Sequence, residues 1–374
     1  MLIPLFKPKY RISECSAHIE AVLESGWTGY GQECLDFEKE WREYTQLPNA
    51  HFVNSNTSGL HLALEIFSRE YGWDATTEVL TTPLTFISTN HTIIQAGLNP
   101  IFVDVDNTLC MSPTELERRI TKRSKAVVFV GIGGNTGNYE IVRDICKKYN
   151  LILILDAAHL AGSKIHGRQV GWDADCSVFS FQAVKNLPTA DSGMICFRES
   201  TFDQRCRKLS WMGIDKSTHG RSQFGSYQWR YNIDELGYKY HGNSIMAALG
   251  RCALRHLDFD NERRRELSGA YVRELSEEEK ITIVHHNQSI KSSRHLFQIR
   301  VKNRDKMMKQ LSEAGISTGV HYRNNLEYPM YQPQFDQAPV AAKLTTEALS
   351  LPLFPDLTFD QVSQIADEIK KTND

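Results

Sequence analysis

A lysine between two apolar segments is the first residue of this chain whose position suggests chemistry. Lys185 lies in the stretch FSFQAVKNLPTADSGMICF, residues 179–197. The segments on either side of it, 176–181 and 193–197, are apolar and strand-like. A lysine at such a turn is either solvated or held near a group that needs an amine. From this stretch alone both interpretations stay open.

A carboxylate ends another apolar run farther upstream. Asp156 is the last residue of LILILD, residues 151–156. An ionised carboxylate at the end of a buried strand is costly unless it meets a cation or a hydrogen-bond donor. Asp156 therefore either binds a nearby backbone amide, as a helix cap or turn residue, or holds a proton on a ring nitrogen of a bound cofactor.

A helix start and an aromatic side chain supply two more features. Thr57 and Ser58 precede an apolar stripe with helical spacing, formed by Leu60, Ala63, Leu64 and Phe67. Small hydroxyl residues at a helix start either cap the helix or leave its amides for an anion. Phe86, in TTPLTFISTN, is either a core residue or a flat surface for a planar ring.

One amine, one carboxylate, one helix N-terminus and one aromatic ring together form a set that binds pyridoxal phosphate. The amine forms a Schiff base with the cofactor, and the carboxylate keeps the pyridine nitrogen protonated. The ring then withdraws electrons from the α-carbon of the substrate. Lys185, Asp156, the 57–58 helix start and Phe86 are the residues from which we predict this site.

The elements that must position these residues alternate in type between about residues 50 and 200. Apolar runs at 99–106, 126–132 and 151–156 are bounded by turn residues and predict strands. Ile141, Ile145 and Tyr149 recur at helical spacing between the last two runs. Apolar strands separated by helices predict a parallel sheet covered on both faces, in an α/β fold. Ligands of such sheets bind at the carboxyl ends of the strands.

The pattern changes past residue 200, and this change predicts a second domain. The expected elements are a long helix at 243–275, a strand at 295–301, and helices at 304–315 and 360–370. We expect a large cofactor-binding domain over residues 1–250, which includes the N-terminal segment, and a smaller C-terminal α+β domain over residues 251–374.

Composition excludes several classes of protein. The chain has 374 residues, 41% hydrophobic and 24% charged, with a formal net charge of −2, which is typical of a water-soluble globular protein and predicts no nucleic-acid partner. No apolar run approaches the roughly 20 residues of a membrane-spanning helix, and residues 1–14 do not resemble a signal peptide. We expect a cytoplasmic protein without a membrane partner. The eight cysteines form no CxxC pair, so we expect free thiols and no metal site.

Eight segments, in order along nearly the whole chain, resemble the DegT/DnrJ/StrS family of sugar aminotransferases. Those enzymes have the aspartate-aminotransferase fold (fold type I) and depend on pyridoxal phosphate. The segments are GWTGYGQECLDFEKEW, VNSNTSGLHLAL, PLTFISTNHTIIQAGLNPIFVDVD, LDAAHLAGS, FSFQAVKNLPTADSGMICF, GYKYHGNSIMAALG, GVHYRNNLEYPMY and SLPLFPDLT.

The resemblance implies a role for each matching residue. Lys185 matches the Schiff-base lysine, Asp156 the partner of the pyridine nitrogen, and Phe86 the aromatic residue that stacks on the ring. His159 takes the position of a Gln or His beside the ring hydroxyl. The positions that hold the phosphate fall on Thr57, Ser58 and Ser180. Lys239 matches a residue, often Asn, that reaches the phosphate in the neighbouring subunit, so the resemblance implies a homodimer with shared sites.

Several positions depart from the family pattern. Asn56 stands in place of a glycine, Gln182 in place of a frequent His or Asn, and Ser192 in place of the first glycine of a Gly-Gly pair. His321 and Tyr322 keep the start of H-Y-x-P-x-H, but Asn324 and Leu326 replace its Pro and second His. Family members meet the sugar nucleotide at such positions, so the departures concern the substrate more than the chemistry.

The function that follows is transfer of an amino group, from glutamate, to a keto sugar on a nucleotide carrier. The product amino sugar would serve a surface polysaccharide or a related glycoconjugate. Two alternatives stay open at this point. The acceptor is a small phosphorylated ketone or aldehyde in the first, and in the second the chain is a regulatory member of the fold without turnover. Retention of both Lys185 and Asp156 argues against the second.

Overall fold

A computed structural model describes residues 2–215, 230–287, 289–331 and 337–371. Its strands are β1 (His51–Val53), β2 (Glu78–Thr81), β3 (Asn99–Phe102), β4 (Ser124–Val130), β5 (Ile152–Asp156), β6 (Lys164–Ile165), β7 (Arg168–Gln169), β8 (Cys176–Ser180), β9 (Gly193–Phe197), β10 (Ile281–Ile283), β11 (Ile290–Lys291), β12 (Phe297–Val301) and β13 (Ala348–Leu351).

The helices alternate with the strands in the first half of the chain and dominate its second half. They are α1 (Ile12–Glu24), α2 (Gln32–Thr45), α3 (Asn56–Tyr71), α4 (Ile87–Gln95), α5 (Pro113–Arg119), α6 (Tyr139–Tyr149), α7 (Ser200–Leu209), α8 (Ser244–Leu275), α9 (Arg304–Glu313), α10 (Pro339–Glu347) and α11 (Phe359–Lys370). Two short 3-10 helices cover Ile132–Gly134 and Asn325–Glu327.

The central sheet has seven strands in the order β1-β9-β8-β5-β4-β2-β3. All neighbouring pairs from β8 to β3 are parallel, and β9 runs antiparallel to both of its neighbours. Strands β4, β5 and β8 are almost wholly buried, as expected of a sheet covered by helices on both faces. Asp156 ends β5 in register with Val130 of β4 and Val178 of β8, so it lies in the middle of the sheet edge.

A second core forms around the sheet β10-β12-β13, which is antiparallel throughout. It includes Leu267 and Tyr271 from the second half of α8 and Val362 and Ile365 from α11. Ile3 also packs in this core, where it pairs with Ile316. The long helix α8 contributes to both cores, since Ala247 and Leu254 belong to the first. The domain boundary expected at residue 250 falls inside this helix and stays a prediction.

Most predicted elements are present close to their expected bounds, and the strand expected at 99–106 is the main exception. β3 ends at Phe102, and Asp104, two residues later, binds the start of α10 instead of continuing the strand. Its carboxylate accepts hydrogen bonds from the backbone amides of Val340 and Ala341, each at 2.8 Å, at the start of α10. A carboxylate at a helix N-terminus satisfies amides that have no partner within the helix.

Three further observations concern the cysteines, possible metal sites and possible membrane-spanning helices. All eight cysteines are buried and unpaired. Within the described ranges, no three histidine, cysteine or acidic side chains come together in a way that could hold a metal ion. None of the helices in that part of the chain is both long and apolar enough to cross a bilayer.

Candidate active site

Asp156 is buried at the carboxyl end of β5 and is only 4% exposed. Thr89 donates its hydroxyl to Oδ2 at 2.8 Å, and Asn56 and the amide of Ala158 donate to Oδ1 at 3.3 and 3.1 Å. Burial raises the pKa of this carboxyl group, and the hydrogen bonds and the Lys185 charge offset that effect only in part. The carboxylate is therefore held in place by donors and still lacks a full countercharge.

Lys185 extends from the loop after β8 into the same region. Its side chain is half-buried, and Nζ lies 2.8 Å from Nε2 of His159. Burial lowers the pKa of the amine to about 8, against an opposing effect of the Asp156 charge. An amine with such a pKa is partly uncharged near neutral pH, and only the uncharged form is a nucleophile.

His159 joins the lysine to two other segments. Its Nδ1 accepts the backbone N–H of Gly133 at 3.0 Å, and Nε2 lies 3.3 Å from the hydroxyl of Tyr322. The imidazole packs against His295 with ring centroids 4.2 Å apart and the two planes inclined by 31°. Burial, and then the charge of Lys185, place the pKa of His159 well below its usual value, so the ring is neutral at pH 7.

The N-terminus of α3 is organised by a residue that the sequence did not single out. Ser55 is the N-cap, and its hydroxyl accepts the backbone N–H of Ser58 at 3.1 Å. The Ser58 hydroxyl donates to Asn54 at 2.6 Å. Thr57 and Ser58 thus lie in the first turn, and the capping role that the sequence left open for them belongs to Ser55. Asn56, next in the chain, reaches Asp156.

Ser180 and Gly193 bring the end of β8 and the start of β9 against this helix terminus. They pair directly across the two strands, and Ser180 is buried. A Cβ atom on Gly193 would lie 2.8 Å from the backbone nitrogen of Asn56, closer than real side chains approach. The glycine therefore lets the sheet touch the helix N-terminus, where backbone amides and hydroxyl groups favour an anion.

Phe86, Tyr322 and His321 add aromatic and imidazole side chains from other elements to this region. Phe86 is 57% exposed at the start of α4, with its ring centroid 5.9 Å from that of Tyr322. His321 is half-buried, its Nδ1 lies 2.9 Å from the Ser350 hydroxyl, and burial lowers its pKa to about 4. The exposed ring of Phe86 beside Tyr322 suits contact with a planar ring better than a core role.

The ammonium of Lys239 points away from this group in its own chain. Its backbone carbonyl accepts a hydrogen bond from Asn54 at 3.2 Å, so the residue starts close to α3. The side chain is exposed, and Nζ lies 3.7 Å from the ring centroid of Trp211. Lys239 and Trp211 line a cavity of about 730 Å³ together with Trp27. The contact of Lys239 with a second subunit stays a prediction.

Two donors to Asp156 were missed by reasoning from sequence. Thr89 lies one helical turn after Phe86, so a polar residue at that spacing on the same helix was the available signal. Asn56 was noted only as a departure from glycine, although its amide binds both Asp156 and the Val178 carbonyl. Gly133, which orients His159, carried no recognisable signal because the contact is made by its backbone.

The donor set fits pyridoxal phosphate. A buried carboxylate that lacks a full countercharge suits a protonated ring nitrogen, and an amine with a lowered pKa suits an aldehyde. The α3 terminus, which Gly193 brings against the sheet, suits a phosphate.

Comparison with known proteins agrees with this chemistry. The model of the DegT/DnrJ/EryC1/StrS aminotransferase family matches residues 10–370. The spore coat polysaccharide biosynthesis protein SpsC of Bacillus subtilis is 33% identical over 365 residues, which cover 94% of this chain and 92% of SpsC.

Solved structures match over the same length. Helicobacter pylori PseC, an aminotransferase involved in the biosynthesis of pseudoaminic acid, is 28% identical with a TM-score of 0.91, over 99% of both chains. The PLP form of Spr1654 from Streptococcus pneumoniae is 26% identical with a TM-score of 0.88, over 99% of this chain and 98% of that one. Both the fold type I architecture and the resemblance noted in the sequence are confirmed. The chain belongs to the DegT/DnrJ/EryC1/StrS aminotransferase family, whose cofactor is pyridoxal phosphate.

Proposed function

We propose that this chain transfers an amino group from glutamate to a keto sugar carried on a nucleotide. Family membership already makes it a sugar aminotransferase of amino-sugar biosynthesis. The nucleotide carrier, the glutamate donor and a surface polysaccharide or related glycoconjugate as the destination are what we add. The names of SpsC and PseC refer to a spore coat polysaccharide and to pseudoaminic acid, and both support this class of product.

The observation that carries the chemistry is the meeting of Lys185 and Asp156 at one edge of the sheet. Both are shifted towards their neutral forms by burial, and each charge partly offsets the shift of the other. Ionisable groups whose pKa values are displaced in a cleft are typical of active sites. When bound, pyridoxal phosphate supplies an aldehyde that carries the amino group and a ring that withdraws electrons.

Lys185 has two tasks in this reaction. Its uncharged amine would hold the aldehyde of the cofactor and, once released, would move a proton at the α-carbon of glutamate or at the sugar carbon that receives the amine. The pKa of about 8 suits both tasks, because neither protonation state is scarce near neutral pH. Glutamate takes up the oxygen of one water and leaves as 2-oxoglutarate, and the keto oxygen of the sugar leaves as one water.

Asp156 and the α3 terminus orient the cofactor. The Asp156 carboxylate, fixed by Thr89 and Asn56, holds the proton of the ring nitrogen as an ion pair. Thr57, Ser58 and Ser180, near the α3 terminus, hold the phosphate. His159 lies beside Lys185 and within reach of the ring hydroxyl.

We further propose a homodimer in which the sites are shared, with Lys239 reaching the phosphate of the partner. The exposed side chain of Lys239, on a residue whose backbone binds Asn54 close to α3, supports this arrangement. His321 and Tyr322 are proposed to contact the sugar, because the Tyr322 hydroxyl lies 3.3 Å from Nε2 of His159 and His321 is close enough to feel the Lys185 charge.

A panel of amino acceptors tests this function. The purified enzyme is first given pyridoxal phosphate and glutamate, and 2-oxoglutarate is measured. It is then offered keto sugars on uridine and thymidine diphosphates, the same sugars as 1-phosphates, and small phosphorylated ketones. We expect kcat/KM to be at least about 100-fold higher for a nucleotide-linked sugar, because remote binding energy lowers the reaction barrier.

Other results would contradict parts of this function. Equal rates for the sugar 1-phosphates would exclude a need for the nucleotide. Preference for a small phosphorylated ketone would replace the substrate class. Cofactor binding without any release of 2-oxoglutarate would contradict glutamate as the donor.

A further inference from the structure

Asn186, the residue after Lys185, has a fixed side-chain orientation. It is buried, and its Nδ2 donates to Oδ1 of Asn261 at 2.6 Å and to the carbonyl of Ser293 at 2.8 Å. Asn261 is oriented in turn, since its own Nδ2 donates to the carbonyl of Ala161. Because both partners of Asn186 Nδ2 accept, the amide cannot be reversed, and Oδ1 must face His295.

This orientation assigns the proton on His295. Its Nδ1 lies 2.8 Å from Oδ1 of Asn186, and an amide oxygen only accepts, so Nδ1 carries the proton. The ring is 1% exposed, with Phe6 stacked at 5.6 Å and His159 at 4.2 Å between centroids. Burial, and then the position of the ring beside His159 and Lys185, hold the pKa of His295 well below its ordinary value, so the ring is neutral.

The proton on His159 is assigned by the same reasoning. Nδ1 accepts the N–H of Gly133, so the proton of the neutral ring is on Nε2. Nε2 lies 2.8 Å from Nζ of Lys185. A protonated ammonium has no lone pair to accept from Nε2–H, so this contact requires the uncharged amine. The hydrogen bond stabilises the neutral form of Lys185 over the charged one.

We propose that His295, oriented by Asn186, is a positioning residue that holds the Nε2–H of His159 towards the Lys185 amine and so favours the uncharged form of that amine. Asn186 and His295 both connect to the lysine, because Asn186 adjoins Lys185 in the chain and His295 packs against His159. This inference deepens the function proposed above, since it rests on the role given there to Lys185.

The ionisable groups that face Lys185 come from three parts of the fold. Asp156, at the end of β5, is the anion and favours the charged amine. His159, in the loop after β5, and His295, before β12, are neutral. His321 and Tyr322, before the second 3-10 helix, are neutral as well, since burial lowers the pKa of the former to about 4 and raises that of the latter.

The first test uses cofactor-free protein and formaldehyde with cyanoborohydride as the probe. Labelling of Lys185 is measured against pH by mass spectrometry of its peptide. The wild-type protein should reach half-maximal labelling near pH 8. His295→Phe keeps a ring that can stack on His159 but cannot donate to Asn186, and we expect the midpoint to rise by about one pH unit or more.

A matched control separates this effect from a general disturbance. His286 is also a buried histidine, and its pKa is also lowered well below the usual range by burial. His286→Phe should leave the Lys185 midpoint within about 0.3 units of wild type, less than the effect of one hydrogen bond. An unshifted midpoint in folded His295→Phe, or an equal shift in both variants, would overturn the proposal.

A second test measures the two tautomers directly in the wild-type protein. Nitrogen NMR of ¹⁵N-histidine-labelled, cofactor-free protein at neutral pH should show His159 protonated at Nε2 and His295 protonated at Nδ1, with resonances assigned by their loss in His159→Gln and His295→Phe. An imidazolium or the opposite tautomer at either residue would overturn the proposal. Neither test uses a sugar or glutamate, so failure of the proposed substrate class would not be confused with failure of this device.

Discussion

Charged side chains lie in the interior both near β1 and at the end of β5. Near β1 the opposite charges are paired within the chain, and at the end of β5 they are paired only in part. Near β1, Glu38 is 1% exposed and accepts from Tyr30 and from the Phe52 amide, each at 2.7 Å. Arg207 donates to its other oxygen at 2.8 Å, and His51 lies at 3.0 Å. These residues form the Glu38 cluster: Tyr30, Glu38, His51 and Arg207.

The pKa values show the contrast. Burial alone would raise the pKa of Glu38, but Arg207 and His51 outweigh it and bring the pKa to about 2. At the end of β5 burial prevails, so the pKa of Asp156 is raised and that of Lys185 is lowered to about 8. The Glu38 cluster completes its ion pairing within the chain, whereas the Lys185 and Asp156 site leaves part of that pairing to a ligand.

The largest expected effect comes from removing the amine. Lys185→Ala should abolish turnover and the visible absorbance of the lysine-bound cofactor, because neither the nucleophile nor the proton carrier remains. Release of 2-oxoglutarate from glutamate is the measurement. The control is Lys125→Ala, which removes an exposed lysine of β4 and should change nothing. Full activity in Lys185→Ala would remove the basis of the mechanism.

A smaller effect is expected from neutralising the carboxylate. Asp156→Asn cannot hold a protonated ring nitrogen as an ion pair, so we expect kcat to fall at least about 100-fold, or roughly 2.7 kcal/mol. The fold should survive, since the amide oxygen can still accept from Asn56 and the Ala158 N–H, and the new NH2 group can donate to the Thr89 hydroxyl. A loss below about threefold, less than 1 kcal/mol, would mean that Asp156 serves only the local structure.

The smallest expected change is about twofold and concerns Lys239. A mixed dimer of one Lys239→Ala subunit and one Lys185→Ala subunit keeps one intact site if Lys239 acts across the interface, because both defects then fall in the other site. Its activity should be about half of the wild type, as one of two sites remains. If Lys239 acted within its own chain, neither site would be intact and the mixed dimer would be inactive.

Elements with a strong apolar pattern could be predicted from the sequence, and long-range contacts could not. β4, β5 and α8 appear close to their expected bounds because their apolar residues determine both type and burial. β3 is shorter than expected because Asp104 binds α10, more than 200 residues away in the chain. Nothing in the local pattern of residues 99–106 could indicate that partner.

The residues of the candidate active site are also of two kinds: some could be predicted from the local sequence pattern, and others are brought together only by long-range contacts. Asp156 and Lys185 could be found because each follows an apolar strand, and parallel strands end at one edge. In SNTS, residues 55–58, every side chain is able to cap a helix, and the extended backbone of Ser55 decides which one does. His295 and Asn186 are 109 positions apart, and only the packing of two cores brings them together.

The most direct test compares the Glu38 cluster with the Lys185 and Asp156 site by replacing one cation in each, Arg207 or Lys185, by methionine. The free energy of unfolding of each variant is measured at pH 7 without cofactor. Lys185 binds its proton more weakly in the folded chain than in the unfolded one, so its charge destabilises the fold below pH 8. Above about pH 10 the lysine is uncharged in both states and this destabilisation disappears. Lys185→Met should therefore stabilise the protein by about 1 to 3 kcal/mol, discounted for the half-buried side chain, and this gain should shrink above pH 8.

Arg207→Met should have the opposite sign. It leaves Glu38 buried without its guanidinium partner, which costs about 3 kcal/mol or more. Chemical denaturation of both variants beside wild type gives the two values. We predict stabilisation by Lys185→Met and destabilisation by Arg207→Met. Destabilisation of similar size in both would show that the charges at the end of β5 are already compensated within the chain, and would contradict the central claim.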